Sequence, residues 1–173
     1  MGAEHVERLD GLIRHPPFHA WLGVEAVEAE PGRAVLRIPP NPDFVGNPFI
    51  PAVHGGILAA LIDLAGGAAL FVDLQFPTPT IDMRVDYLRP AIAGRAILAE
   101  ARVKSLGRTI AFVDVDVVQP TDESAEPRLA SRISRRKFGD VDVKDEEGRL
   151  VATGRCAYSV KDQEKGPRGF PIG

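Results

Sequence analysis

The chain has 173 residues, 45% of them hydrophobic, and a formal charge of −3. That is enough chain for one domain with its own core, and the charge excludes the overall basic field on which nucleic-acid binding would rest, so no nucleic-acid partner is expected. A single cysteine, Cys156, excludes an intrachain disulfide and, in an alternating segment, reads as a small buried apolar residue.

The first residues, MGAEHVERLDGLIRHPPFHAWLG, carry acids and no apolar h-region, so a signal peptide is not expected and a cytoplasmic location is. Val6, Leu9 and Ile13 stand at helical spacing over residues 4–13, and His15-Pro16-Pro17 should end that helix. A hairpin follows, with extended runs at 22–30 and 32–38 split by Pro31-Gly32. Residues 39–51 hold five prolines and two asparagines and must be loop. They lead into a long helix that opens at His54-Gly55-Gly56 and should end near Gln75-Phe76-Pro77. Its apolar run, 55–72, approaches the length of a membrane span. Asp63, four glycines and the lack of a flanking Lys or Arg make it instead a helix buried in protein, with no membrane partner expected.

Beyond the helix, 80–88 alternates Ile81, Met83, Val85 and Tyr87 with Asp82, Arg84 and Asp86, as a strand does. Strands at 96–106 and 109–118 are joined by Gly107-Arg108, which suits a type II′ hairpin, and a last strand covers 150–160. The order of hairpin, long helix and antiparallel meander is an α+β layout with a single helix available to cover one sheet. One domain spans 1–160. Within it, 119–148 is too long for a hairpin loop and is split between five bases (Arg128, Arg132, Arg135, Arg136, Lys137) and five acids (Asp140, Asp142, Asp145, Glu146, Glu147). It reads either as a solvated loop or as a basic arm for a phosphorylated ligand. The tail, 161–173, reads as disordered.

The stretch VHGGILAALIDLAGGAAL, Val53 to Leu70, holds one carboxylate, Asp63. A carboxylate in an apolar run is normally paired or functional. Positions 59, 60, 66 and 67 are Ala, Ala, Gly and Gly, so no helical neighbour can pair with it, although Arg84 or Arg89 could. At the other end, Gly55-Gly56 lies where the first helical N–H groups lack partners and the dipole is positive, a place suited to an oxyanion. His54 beside it is either a helix-flanking residue satisfied by the backbone or part of that site. Asp63 follows Gly55 by eight residues, about 12 Å along the axis. A base and an oxyanion donor acting on one carbonyl stand only about 5–7 Å apart. One helix therefore cannot supply both to one substrate. Two antiparallel copies about a twofold axis can, so a catalytic helix would require a dimer.

HGGILAALIDLAGGAA, TIDMRVDYLRPA, LGRTIAFVDVDV and GRLVATGRCAYSV, in that order and spacing, resemble the hotdog-fold thioesterases of the phenylacetic-acid-degradation (PaaI-like) type over about residues 16–160. The resemblance implies a curled antiparallel sheet wrapped around the long helix, dimers that join sheets into one layer, dimers of dimers as homotetramers, and hydrolysis of acyl-CoA thioesters. It implies Asp63 as general base or nucleophile, Gly55 N–H as the donor polarising the carbonyl, His54 beside the leaving group or fixing the loop, and Thr80 helping to hold the water. The family's asparagine before HGG has its counterpart in Asn47, one residue further from His54 than the pattern, with Pro48 in the expected place. Coenzyme A would be part of the substrate rather than a cofactor, no metal is implied, and Arg84, Arg89 and Arg108 are candidates for its phosphates. The acyl pocket would draw on Phe44, Phe49, Ile50, Leu58 and the N-terminal segment around Phe18 and Trp21. The alternative is a hotdog protein that binds acyl-CoA without hydrolysing it. A hydratase ranks last, since no His follows His54.

Overall fold

The computed structural model describes residues 2–47, 49–121 and 148–160. Along them run α1 (Gly2–Ile13), α2 (Pro17–Leu22), β1 (Glu25–Glu30), β2 (Arg33–Ile38), a 3₁₀ turn (Pro42–Phe44), α3 (Gly55–Leu74), β3 (Thr80–Tyr87), β4 (Ile97–Leu106), β5 (Ile110–Pro120) and β6 (Gly148–Ser159). All six strands form one antiparallel sheet, in the order β1-β2-β4-β5-β6-β3. The α+β layout, the hairpin and the long helix are as the sequence indicates. The meander is not. β3 pairs with β6 at the far edge, and β4 takes its place beside β2. Alternation along a strand reports which face a side chain occupies and is silent about which strand lies next to it.

The prolines at 16 and 17 do more than end α1. Pro17 opens a second helix, α2, because its fixed φ suits a first helical turn and its missing N–H would have had no partner there. Gly23, at φ 65°, closes it by donating to Ala20 O. Gly32, at φ 72°, takes the left-handed position of the Pro31-Gly32 turn, where a side chain would be strained. The β4–β5 turn corrects the type II′ reading: Gly107 N–H donates to Ile110 O, so the central residues are Arg108 and Thr109, and none of the three has positive φ. The strands flanking the long insertion also run further than read, since Gln119 pairs with Arg149 and Pro120 with Gly148. The charged segment itself, and the tail from 161, lie outside the described residues.

α3 is long and apolar enough by composition to cross a membrane, yet it packs inside the protein. Leu61, Ile62, Ala65 and Ala69 meet the inward side chains Leu36, Ala99, Val113, Val115 and Ala152 in the main core. Val35, Leu98, Val118 and Leu150 form a smaller cluster on the opposite face of the sheet. Arg33, only 5% exposed, is tied there to Glu28 (2.6 Å), Glu30 (2.8 Å) and Glu100 (2.7 Å). The two sheet edges differ. On β1 the Ala26 N–H is taken up by Asp10 of α1 at 2.9 Å, whereas β3 keeps Ile81 and Tyr87 exposed.

The helix lies tight against the sheet at Gly154, where an added Cβ would stand 2.4 Å from Cγ2 of Ile62. Gly154→Ala should therefore destabilise the fold by about 1–3 kcal/mol through overpacking, read as a lower midpoint in denaturant unfolding.

Candidate active site

The helix begins with a cap made by the residue the sequence singles out. Nδ1 of His54 accepts the Gly56 N–H at 2.9 Å, and Ile57 N–H donates to His54 O. Since Nδ1 accepts, the proton of the neutral ring sits on Nε2. Gly55 N–H has no partner among the described residues and stands free at the positive end of α3. Gly55 O accepts from the Tyr87 hydroxyl at 3.1 Å, and a Cβ on Gly55 would stand 3.2 Å from the Tyr87 ring. A side chain at this position would press the exposed tyrosine aside by a few tenths of an ångström.

Eight residues on, Asp63 is part-buried and held from two sides. Thr80 Oγ1 donates to Oδ1 at 2.6 Å, and the Tyr158 hydroxyl donates to the Asp63 main-chain O at 2.8 Å while standing 3.5 Å from Oδ1. Burial pushes the Tyr158 phenol well above its ordinary range, so it remains a donor. Gly66 gives it room: a Cβ there would fall 2.2 Å from the hydroxyl. The thiol of Cys156, two residues along the same strand, is likewise pushed up by burial, to about 11, and stays protonated. Asp63 Oδ2 has no partner among the described residues. Neither Arg84 nor Arg89 reaches Asp63, so it is not the ion-paired carboxylate that the sequence leaves open.

The structure brings Asp63 and Thr80 together and holds His54 and Gly55 at the other end of β3, each pair at one end of that strand. Asn47 joins neither. Its Oδ1 accepts the Phe49 N–H at 2.9 Å, and the side chain is exposed on the loop. The arginines are also dispersed. Arg84 is exposed and paired with Asp86 at 3.1 Å. Arg89 donates to Leu150 O at 3.1 Å near the Tyr87 end of the sheet, and Arg108 sits in the β4–β5 turn, near the Thr80 end.

Asp63 opens onto a cavity of about 680 Å³ lined by Leu9, Leu12, Ile13 and Pro16 on one side and Leu64 and Phe71 on the other. The pocket residues read from the sequence do not line it. Phe44 and Leu58 are core, Trp21 packs edge-on against Phe44, Phe18 stacks on Trp21, and Phe49 is 92% exposed. The N-terminal segment around Phe18 and Trp21 does reach the cavity, through Pro16 and His19 rather than through the two aromatic rings. Tyr158, Tyr87 and the α1 side of the wall are what sequence reasoning missed. The signal for Tyr158 lay in Gly66, which leaves a gap in the helix on the turn after Asp63.

A model of the thioesterase superfamily matches residues 51–126. A candidate esterase of Halobacterium salinarum is 40% identical over 129 residues, covering 70% of this chain and 84% of the relative. The medium/long-chain acyl-CoA thioesterase YigI of Escherichia coli is 30% identical over 132 residues, 66% of this chain and 84% of the relative. A crystallised point mutant of the phenylacetic acid degradation protein PaaI from Thermus thermophilus superposes with a TM-score of 0.62 at 27% identity, over 83% of this chain and 98% of that one.

Tyr158→Phe removes a single buried hydrogen bond and leaves its shape. It should cost about 1 kcal/mol in denaturant unfolding, with a loss of ordered near-UV signal no greater than that of the wild type at the same fraction unfolded.

Proposed function

The chain belongs to the thioesterase superfamily, as a hotdog protein of the PaaI-like type, and on that premise we propose that it hydrolyses acyl-CoA thioesters to the free acid and coenzyme A at two sites shared across a homodimer. The observation that carries this is the placement of both half-sites on one edge strand: Thr80, the first residue of β3, holds Asp63, and Tyr87, the last, holds Gly55. That edge is not covered by any other described element. Pairing two β3 strands antiparallel about the point between Met83 and Arg84 sets Thr80 opposite the partner's Tyr87. The Asp63 of one chain then faces the free N–H at the helix start of the other, which removes the 12 Å separation that bars one helix from serving one carbonyl alone. Arg89 of one chain falls at the Arg108 end of its partner in the same pairing, where the phosphates of coenzyme A would find cations from both.

In that site Thr80 spends its proton on Asp63 and presents lone pairs. A water donating to Asp63 Oδ2 and to Thr80 Oγ1 turns its own lone pair toward the thioester carbon. As the C–O bond forms, Asp63 takes the water proton, and the carbonyl oxygen gains charge against Gly55 N–H. Collapse breaks the C–S bond, and the leaving thiolate takes the proton back from Asp63, which restores the carboxylate. Direct attack by Asp63 Oδ2, through an anhydride, uses the same groups. His54 fixes the helix start through Gly56. Asn47 can act only through its amide NH₂, since its oxygen holds the loop. A cytoplasmic location, a reaction without cofactor, and a tetramer joined through the exposed Ile110 and Phe112 on the sheet face away from α3 belong to the same reading.

Thiol release from a panel of acyl-CoAs tests it. Asp63→Asn should reduce turnover at least about a hundredfold. Gly55→Pro should do so too, since it deletes one N–H at a first helical position preceded by a residue at φ −60°, ψ 133°, a conformation proline accepts. Mixed and refolded one to one, the two inactive variants should recover about one quarter of wild-type activity, because half the dimers carry one intact site of two. No recovery would reject the shared site, and no turnover by wild type on any acyl-CoA would favour the non-hydrolytic binder.

A further inference from the structure

The start of α3 is held by more bonds than a helix cap requires. His54 N–H donates to Phe44 O at 2.7 Å, and Ile57 N–H donates to His54 O at 2.9 Å. The loop also presses on His54 from behind, since a Cβ on Gly46 would stand 2.6 Å from the His54 Cα. The peptide that carries the Gly55 N–H is thus bonded at its oxygen end, and the direction of the donor depends on how firmly the Gly55 Cα is held from the other side. The next peptide joins two glycines, which have no Cβ to limit their rotation. It is held at both ends. His54 Nδ1 accepts the Gly56 N–H at 2.9 Å, and the Tyr87 hydroxyl donates to Gly55 O at 3.1 Å. The groups left without partners at a helix start are N–H groups, and a first-turn carbonyl already accepts the N–H four residues on. The phenol therefore takes a second lone pair of Gly55 O and adds nothing to the capping.

From this we propose that Tyr87 is a positioning residue for the hydrolysis: its hydroxyl clamps the Gly55–Gly56 peptide so that the Gly55 N–H is aimed at the thioester oxygen. The proposal rests on the thioesterase reading above. A peptide plane held by one hydrogen bond can pivot about it, whereas a plane held at its N–H and at its C=O cannot. A donor stabilises a developing oxyanion only if it is aligned before the charge appears, so a loss of aim costs rate more than binding. The tyrosine stands on a firm base. Tyr87 pairs with Ala152 of β6, and Leu88 N–H donates to Val151 O at 2.9 Å. Its side chain, by contrast, is 56% exposed and belongs to neither apolar cluster of the described residues, so burial does not explain the hydroxyl. An exposed phenol gains little stability by exchanging a water for a protein acceptor. What the bond supplies is direction, and the tyrosine acts through Gly55.

Tyr87→Phe deletes the hydroxyl from an exposed ring. It should lower kcat about tenfold and leave KM within about twofold, because the alignment matters in the transition state. An unchanged kcat, or a loss carried wholly by KM, overturns the proposal. Mixing then locates the effect. Refolded one to one with Asp63→Asn, Tyr87→Phe should give about a quarter of wild-type activity, because half the dimers join an intact Asp63 to a Gly55 whose own Tyr87 is present. If the hydroxyl serves only the fold, or the Asp63 of its own chain, the mixture should stay near the mean of its parents, about one twentieth, which also overturns the proposal. The mixture of Gly55→Pro with Asp63→Asn is the control. Recovery in the control without recovery for Tyr87→Phe rejects the clamp and leaves the shared site standing. A last readout needs neither a shared site nor turnover. With an acyl-CoA isotopically labelled at the carbonyl carbon and bound to Asp63→Asn, the C=O stretch should fall below its frequency in water. Most of that shift should be lost in the double variant that adds Tyr87→Phe. If the control does not recover, or wild type turns over nothing, the thioesterase reading or its shared site fails, and this comparison still decides the clamp: a shift retained in the double variant rejects it, and a shift lost supports it.

Discussion

The site depends on one hydrogen bond between the sheet and the helix: the Tyr158 hydroxyl on the main-chain oxygen of Asp63, at 2.8 Å. A helix turns by about 100° per residue, so its rotation on the sheet decides which side chain meets Thr80. An apolar helix such as α3 has no polar face to set that rotation. The buried core favours contact but tolerates several azimuths. The tyrosine supplies a polar reference, because a desolvated phenol needs an acceptor and Gly66 leaves it the room to reach one. With that bond made, Asp63 accepts from Thr80, and Gly154 gives Ile62 the same kind of room on the sheet.

Much of this was legible in the chain. The hydrophobic run, the flanking His54-Gly55-Gly56 and the proline-rich loop located α3 and both of its chemical groups, because capping, charge and breaker residues act locally. Thr80 was reached through resemblance rather than through spacing. What stayed illegible was relational. The period of β3 gave its faces correctly in outline, but the bulge between Thr80 and Asp82 and its place beside β6 are set by partners distant in sequence. The same is true of Tyr158. Nothing within Leu150–Val160 marks it out, and the glycine that accommodates it lies on another element. The two prolines at 16 and 17 illustrate a different failure: proline ends one helix and begins the next with equal ease, and only the φ of Gly23 shows where the second one stops.

The edges of the sheet carry the assembly argument. β1 is an edge made safe within the chain, with Asp10 occupying an amide that would otherwise seek another strand. β3 has no such cover and presents Ile81, Tyr87 and Leu88 to solvent. A bare edge with exposed apolar side chains is a liability in a monomer, and pairing with a twofold copy would resolve it. The same strand spaces Gly55 from Asp63. In the proposed dimer, the length that keeps Gly55 and Asp63 apart within a chain would align them between chains, so the pairing that protects the edge would also complete the chemistry.

The division of labour among elements bears on how such a site could vary its substrate. In the proposed reaction the groups at the carbonyl stand on α3 and β3, which are held by the core and by Tyr158 of β6. The cavity wall opposite them stands on α1 and α2, joined through His15-Pro16 and tied, among the described residues, by the bond from His19 to Ile13. Leu9 and Ile13 of that wall belong to the same core as α3, so changing them would reach the helix, whereas Leu12, His15 and Pro16 are exposed and can be exchanged without disturbing it. Selectivity can therefore drift at those exposed positions while the geometry around Asp63 and Gly55 is held by residues more than thirty positions away in sequence.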